Sequence, residues 1–227
     1  MTTTETTDWE RYYRRPCPAA MLTRRFTGRR LLEVIRRHAP RRERGLVLAE
    51  LGGGASCCHC SLTHHLRPAA YHVVDNNPLG LDLLRDRPEI TLHQADLLRE
   101  RPPIVADVVF SLGLIEHYPA DQRQRLLAAH FALVAPDGLV VLSFPTPTRL
   151  YRLARGLAEN LGLWRFPDEE PLPLPAVIAA VAGQGQLASS QVLWPLVLTQ
   201  ALLALKPRGS AAALPAASGP PAGVLAG

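Results

Sequence analysis

Two hydrophobic rhythms alternate along this chain. Short, mainly apolar runs stand at Leu46–Leu51, Tyr71–Val74, Asp107–Ser111 and Leu139–Phe144, and Ile90–Ala95 alternates apolar with polar. Runs of this length predict strands, and a nearly continuous one such as Asp107–Ser111 predicts a strand buried on both faces. Helical spacing appears before and between them. Over Ala20–His38, Leu22, Phe26, Leu31, Val34 and Ile35 share one side, while Arg29, Arg30, Glu33, Arg36 and Arg37 face away. Residues 56–67 and Leu79–Arg85 predict two short helices. Gln122–Val134 predicts a longer one, with Leu126, Leu127, Phe131 and Val134 inward. Asn76-Asn77-Pro78 and Pro136-Asp137-Gly138 predict turns. Strands alternating with helices imply right-handed crossovers, so the expected fold is α/β: a doubly wound, mostly parallel sheet.

Both ends and one interior stretch depart from that rhythm. Residues 1–8 are polar and predict disorder, and Trp9, Tyr12 and Tyr13 then stand among arginines. Pro145–Pro175 predicts an insert with a helix around Leu150–Leu161, followed by Trp164, Phe166 and an acidic, proline-rich turn. After a helix at Ala176–Ala182, Gln191–Trp194 and Thr199–Leu205 predict a closing strand pair that ends in a last antiparallel strand. From Pro207 the chain is Ala, Gly, Pro and Ser, a composition that cannot bury a core. The expected organisation is a helical arm (1–44), one domain (45–206) with an insert at 145–175, and a disordered tail (207–227).

Charge sharpens the arm. The net charge is +5, and Arg11, Arg14, Arg15, Arg24, Arg25, Arg29, Arg30, Arg36, Arg37, Arg41, Arg42 and Arg44 all fall before residue 45. Such an arm suits nucleic acid, an anionic membrane surface or an anionic substrate, or is simply a solvated helix face. No long uninterrupted apolar run predicts a membrane-spanning helix. The polar, acidic start has no secretory h-region, so a cytoplasmic location is expected.

The candidate chemistry gathers at strand ends. Val47–Leu51 runs through Glu50 into Gly52, Gly53 and Gly54, where missing Cβ atoms let the backbone approach a ligand. Asp75 closes the next predicted strand and Asp96 follows the third. A dinucleotide fingerprint would place Gly or Ala where Cys57 stands. Three carboxylates around one crevice repel a pyrophosphate and suit a cationic cofactor.

Five pieces occur in order: Glu50-Leu-Gly-Gly-Gly-Ala-Ser56, Val73-Val-Asp75-Asn76-Asn77, Gln94-Ala-Asp96-Leu97, Ala106–His117 and Leu133–Leu142. This set resembles the class I S-adenosylmethionine-dependent methyltransferases of small-molecule type, over residues 45 to about 145. The resemblance implies a Rossmann-like fold, an enzyme, and S-adenosylmethionine as cofactor. It implies Gly52, Gly53 and Gly54 beneath the methionine portion, with Glu50 near its ammonium group. Asp75 would take the ribose hydroxyls and Asn76 would lie against the adenine. Asp96 would accept from the adenine amino group, with Leu97 on the ring. Ser111, Leu112 and Gly113 would lie beside the sulfonium. The family's usual third glycine is Ser56 here, a residue able to cap the following helix.

His117 is the candidate general base, beside Glu116, because His titrates nearest neutrality; local packing is the alternative for both. Cys57, Cys58, Cys60 and His64 allow three readings: packing of the first helix, a metal site, or a reactive thiol. On a helix Cys57, Cys60 and His64 would share a face. No metal is assigned. The arm's aromatics and the insert's Tyr151, Trp164 and Phe166, with Arg149, Arg152 and Arg155, suggest an apolar lid with a basic rim. The expected acceptor is therefore a small organic molecule, amphiphilic or anionic, methylated on O, C or N, and peripheral membrane contact stays open. Two other readings remain. One is RNA methylation through the basic arm, disfavoured because Ser111-Leu-Gly-Leu stands where a base-directed signature would be. The other is a fold that binds the cofactor or a partner without transfer.

Overall fold

A computed structural model of the chain describes residues 6–15, 18–194 and 199–208. Seven strands form one sheet in the order β3-β2-β1-β4-β5-β7-β6. They are β1 (Val47–Leu51), β2 (Ala70–Asp75), β3 (Thr91–Gln94), β4 (Ala106–Leu112), β5 (Val134–Pro145), β6 (Gly185–Leu193) and β7 (Gln200–Pro207). The first five pair in parallel. β7, the last of the seven in sequence order, runs antiparallel to both its neighbours and lies between β5 and β6. The sheet is the doubly wound, mostly parallel one that the alternation predicts.

Helices cover both faces, and strand alternation decides which residue meets which helix. On one face α2 (Pro18–His38) and α3 (His59–Leu66) bury Leu31, Ile35 and Leu62 against Leu48, Val73, Val108 and Phe110. On the other, α5 (Ala120–Leu133) and α7 (Leu174–Val181) bury Leu126, Leu127, Val177 and Val181 against Val74, Val109 and Val140. Leu31, Val34 and Ile35 of the α2 stripe are thus part of the core, with Phe26 packed against it, so α2 is a layer of the domain; Leu22, expected on the same side, is 51% exposed, one turn beyond where the helix meets the sheet. Two short helices, α1 (Trp9–Arg14) and α4 (Pro78–Asp82), lie at the carboxyl ends of the strands, and α6 (Arg149–Asn160) forms the insert.

Several local expectations shift. Thr7, expected in disorder, is buried, and its N–H and hydroxyl both donate to Asp168. The predicted turn at Pro136–Gly138 lies within β5, as a bulge between the pairs Ala106–Val134 and Val108–Leu139. Pro207 pairs with Gly185 as the end of β7; the rest of the predicted tail, beyond Arg208, lies outside the described residues, as do residues 1–5.

Candidate active site

The turn after β1 is shaped by its neighbours. Gly52 has φ +67°, and a Cβ there would lie 2.7 Å from Leu114 Cδ1. At Gly54 a Cβ would lie 2.9 Å from Asp75 Oδ2 and 2.5 Å from the Tyr13 hydroxyl. The bare backbone is what lets Gly54 N–H donate to Asp75 Oδ2 at 2.7 Å, while Asn77 N–H donates to Oδ1 at 2.8 Å. Burial raises the Asp75 carboxyl above its usual range despite these bonds. Glu50 is buried deeper. Its Oε2 accepts from Ser56 Oγ at 2.5 Å and from the Tyr71 hydroxyl at 2.7 Å, and burial again raises its pKa. Asp96 accepts from Leu98 N–H at 2.9 Å and lies 3.5 Å from Arg99.

Glu50, Gly52, Gly53, Gly54, Ser56, Asp75, Asn76, Asp96, Leu97, Leu112 and Gly113 line one cavity, together with Arg24, Trp9, Tyr13 and His117. Ser111 does not. Alternation along β4 sends its side chain to the α5 face with Val109, where its hydroxyl lies 3.0 Å from His130 Nε2. Nor does Ser56 cap the next helix. That helix begins at His59, its N-cap Cys58 makes no side-chain capping bond, and the Ser56 hydroxyl is turned to Glu50. Cys57 precedes the helix and so shares no helical face with Cys60 and His64. Cys58 alone of the three is buried. Among the described residues, the grouping of potential metal ligands is elsewhere: Glu116, His117 and Glu169, with ligand atoms within 4.8 Å of one another.

The cavity holds about 70 Å³ because α1 stands in it. The Tyr13 hydroxyl and Asp75 Oδ2 both crowd Gly54, and burial and that carboxylate raise the Tyr13 pKa. Asp75 thus already has one hydroxyl beside it, the chemistry a ribose would offer. Arg24, on the inward side of α2 with Thr27 and Leu31, stacks on Tyr12 at 4.9 Å and has no ion pair among the described residues. In the sequence it is one arginine among many, although its helical spacing from Leu31 marks it as inward. Glycines that a side chain would clog, a carboxylate with a hydroxyl beside it and a guanidinium with no ion pair among the described residues are the chemistry that fits an amino-acid nucleoside.

A second cavity of about 450 Å³ adjoins the first. Arg24, Leu112, Gly113 and His117 line both. Its other walls include Thr27, Tyr151, Ala154, Ala158, Leu163, Trp164, Phe166, Glu116 and Glu169. The arm and the insert meet here: the Trp9 ring lies 4.9 Å from His117 and 6.2 Å from Phe166, and Tyr12 lies 5.4 Å from Phe166. His117 Nδ1 lies 3.0 Å from Asp168 Oδ1, which leaves Nε2 for a ligand. Burial opposes charge on His117, but Asp168 and Glu116 outweigh it and raise its pKa. Asp168 falls to about 2, because the bonds from His117 and Thr7 outweigh its burial. Glu116 is 2% exposed and its Oε2 has no hydrogen-bond partner among the described residues. Burial pushes it up to about 7, against the pull of His117. Asp168 had no signal in the sequence, since it reaches His117 across 51 positions.

No family model and no curated protein matches the chain. Solved structures do. The N-methyltransferase NodS from Bradyrhizobium japonicum WM9, in complex with S-adenosyl-L-homocysteine, superimposes with a TM-score of 0.61 at 13% identity, over 85% of this chain and 89% of that one. The 1,6-didemethyltoxoflavin-N1-methyltransferase of Burkholderia thailandensis, with that substrate and S-adenosylhomocysteine bound, gives 0.64 at 14%, over 88% and 85%. A possible exported protein from Bordetella parapertussis gives 0.65 at 21%, over 91% and 75%. At these identities the likeness is one of fold: the chain has the Rossmann-like architecture of the methyltransferases.

Proposed function

We propose that this protein is an enzyme that transfers a methyl group from S-adenosylmethionine to a small organic acceptor. The observation that carries the reading is the pair of joined cavities. One gathers the glycine turn and the acids Glu50, Asp75 and Asp96; the other is apolar; His117, Leu112 and Gly113 stand at their junction. S-adenosylmethionine would supply an already activated methyl on a sulfonium. Asp75 would hold its ribose hydroxyls, Asp96 its adenine amino group, Glu50 its ammonium and Arg24 its carboxylate. The chain's remaining task is to orient the acceptor and exclude water, effects that reach roughly 7–11 kcal/mol when geometry is well held.

At the junction, His117 Nε2 takes the acceptor's proton, with Asp168 fixing the ring through Nδ1. The open Oε2 of Glu116 receives an O–H or N–H of the same molecule. An amphiphilic acceptor suits the apolar walls. Glu116 and Glu169 disfavour an anionic group beside them, whereas Arg24 and Arg165 on the same cavity would receive one. The test is calorimetric titration with S-adenosylhomocysteine. Micromolar binding is expected, weakened at least tenfold in Asp75→Ala; absence of binding by the intact chain ends the reading.

A further inference from the structure

We infer that α6 docks on an anionic lipid surface and turns the acceptor cavity toward it. Thr148 starts the helix by accepting from Tyr151 N–H at 3.2 Å. Tyr151 is buried beneath it, and Ala154 and Ala158 line the acceptor cavity. The apolar arc does not stop where the body of the protein stops. Leu150, Leu153, Leu157 and Leu161 follow at spacings of three and four and are 38%, 70%, 60% and 61% exposed; Leu163, just beyond, is 66% exposed. Single exposed leucines are ordinary, but a continuous stripe marks an interaction surface.

Charge selects the partner. Between residues 149 and 165 there are four arginines and one glutamate, and the acids that follow are engaged: Asp168 with His117, Glu169 with Tyr151 and Glu170 with Arg123. Glu159 is paired with Arg155, while Arg149 and Arg152 are exposed and form no ion pair among the described residues. A leucine stripe bordered by Arg149, with Arg152 further round the exposed face, is the composition of a helix that lies in the headgroup layer of an anionic bilayer. A second copy fits less well, since a two-fold contact through the stripe would bring the same arginines together. The surface would bind from one side: among the described residues no helix is long and apolar enough to cross a membrane. Leu163 belongs both to the exposed stripe and to the cavity wall, so the cavity opens beside the lipid. Resting on the methyl-transfer reading, the acceptor is then an amphiphile whose polar head reaches His117 while its apolar part stays in the bilayer.

The intact chain is sedimented with vesicles of phosphatidylcholine alone and of equimolar phosphatidylcholine and phosphatidylglycerol. It is expected to sediment with the mixed vesicles, less so as salt rises, and hardly with the neutral ones. Leu153→Glu with Leu157→Glu should weaken retention at least tenfold. Both side chains face water, so the circular dichroism should be unchanged; if this variant unfolds, Arg149→Gln with Arg152→Gln reads the charge instead, with the same expected loss. No retention of the wild type, or unchanged retention in the folded variant, overturns the inference. So does a solution dimer that the leucine variant dissociates, which assigns the stripe to a second copy. Titration with S-adenosylhomocysteine on the same samples separates the two claims: cofactor binding without vesicle binding sinks this one alone, and the converse sinks the methyl-transfer reading.

Discussion

His117 stands between two carboxylates that pull its proton in the same direction. A base must be neutral to act, and Asp168 and Glu116 raise the pKa of the imidazole. The acidic limb of the rate profile should therefore lie above the ordinary histidine value of about 6.5. Asp168→Asn should move that limb toward lower pH, and His117→Ala should cost about 10²–10⁴-fold in kcat. A limb that stays put in Asp168→Asn would remove Asp168 from this role. His130 offers a second test, of stability. It is buried, bonded to Leu126 O and Ser111, and burial lowers its pKa to about 4. The depressed value means full stability above the unfolded pKa, with loss as pH falls from about 6.5 toward 4, by up to about 3 kcal/mol. Denaturant titrations at several pH values should show that slope, flattened in His130→Gln. At this scale the acids were legible because each closes or follows a strand, a position that strand period alone locates. Ser111 is out by one step of the same period, so it faces His130 and not the cavity. Asp168 was not legible, because nothing local ties it to His117.

Among elements, α1 is the one the hydrophobic pattern conceals. Trp9, Tyr12 and Tyr13 are spaced to share a helix face, but six residues hold too few turns for a period to stand out. Asp8 starts the helix by accepting from Arg11 N–H at 2.9 Å, and Tyr13 then reaches Asp75. Because the Tyr13 hydroxyl competes for the carboxylate assigned to the ribose, Tyr13→Ala should tighten S-adenosylhomocysteine binding by about fivefold, the worth of one net hydrogen bond. Weaker binding would make α1 a clamp on the ligand instead. The glycine turn predicts the opposite sign. Gly52→Ala forces a side chain into a left-handed φ and against Leu114, so it should cost about 1–2 kcal/mol and lower Tm measurably. The core elements were readable from long or strongly patterned runs. The start of α3 was not, since Ser56 has the chemistry of a cap and spends it on Glu50.

For the whole molecule, ligand and fold are linked. S-adenosylhomocysteine at a hundred times its Kd should stabilise the native state by about 2.7 kcal/mol, read as a rise in Tm; at the same ligand concentration a tenfold loss of affinity in Asp75→Ala cuts this to about 1.4 kcal/mol or less. The strand order has a consequence for how the chain is made. β7 fills the gap between β5 and β6, and Ala201–Leu205 are almost wholly buried there. Of the seven described strands, synthesis delivers that one last. Until residues 200–207 leave the ribosome, β5 keeps an open edge of unpaired backbone along a run of valine, leucine and phenylalanine, the kind of edge that recruits other chains. A nascent chain halted before Gln200 should therefore be insoluble, while one extended to Arg208 folds. The sheet is completed from its middle, and β7 is the strand that closes it.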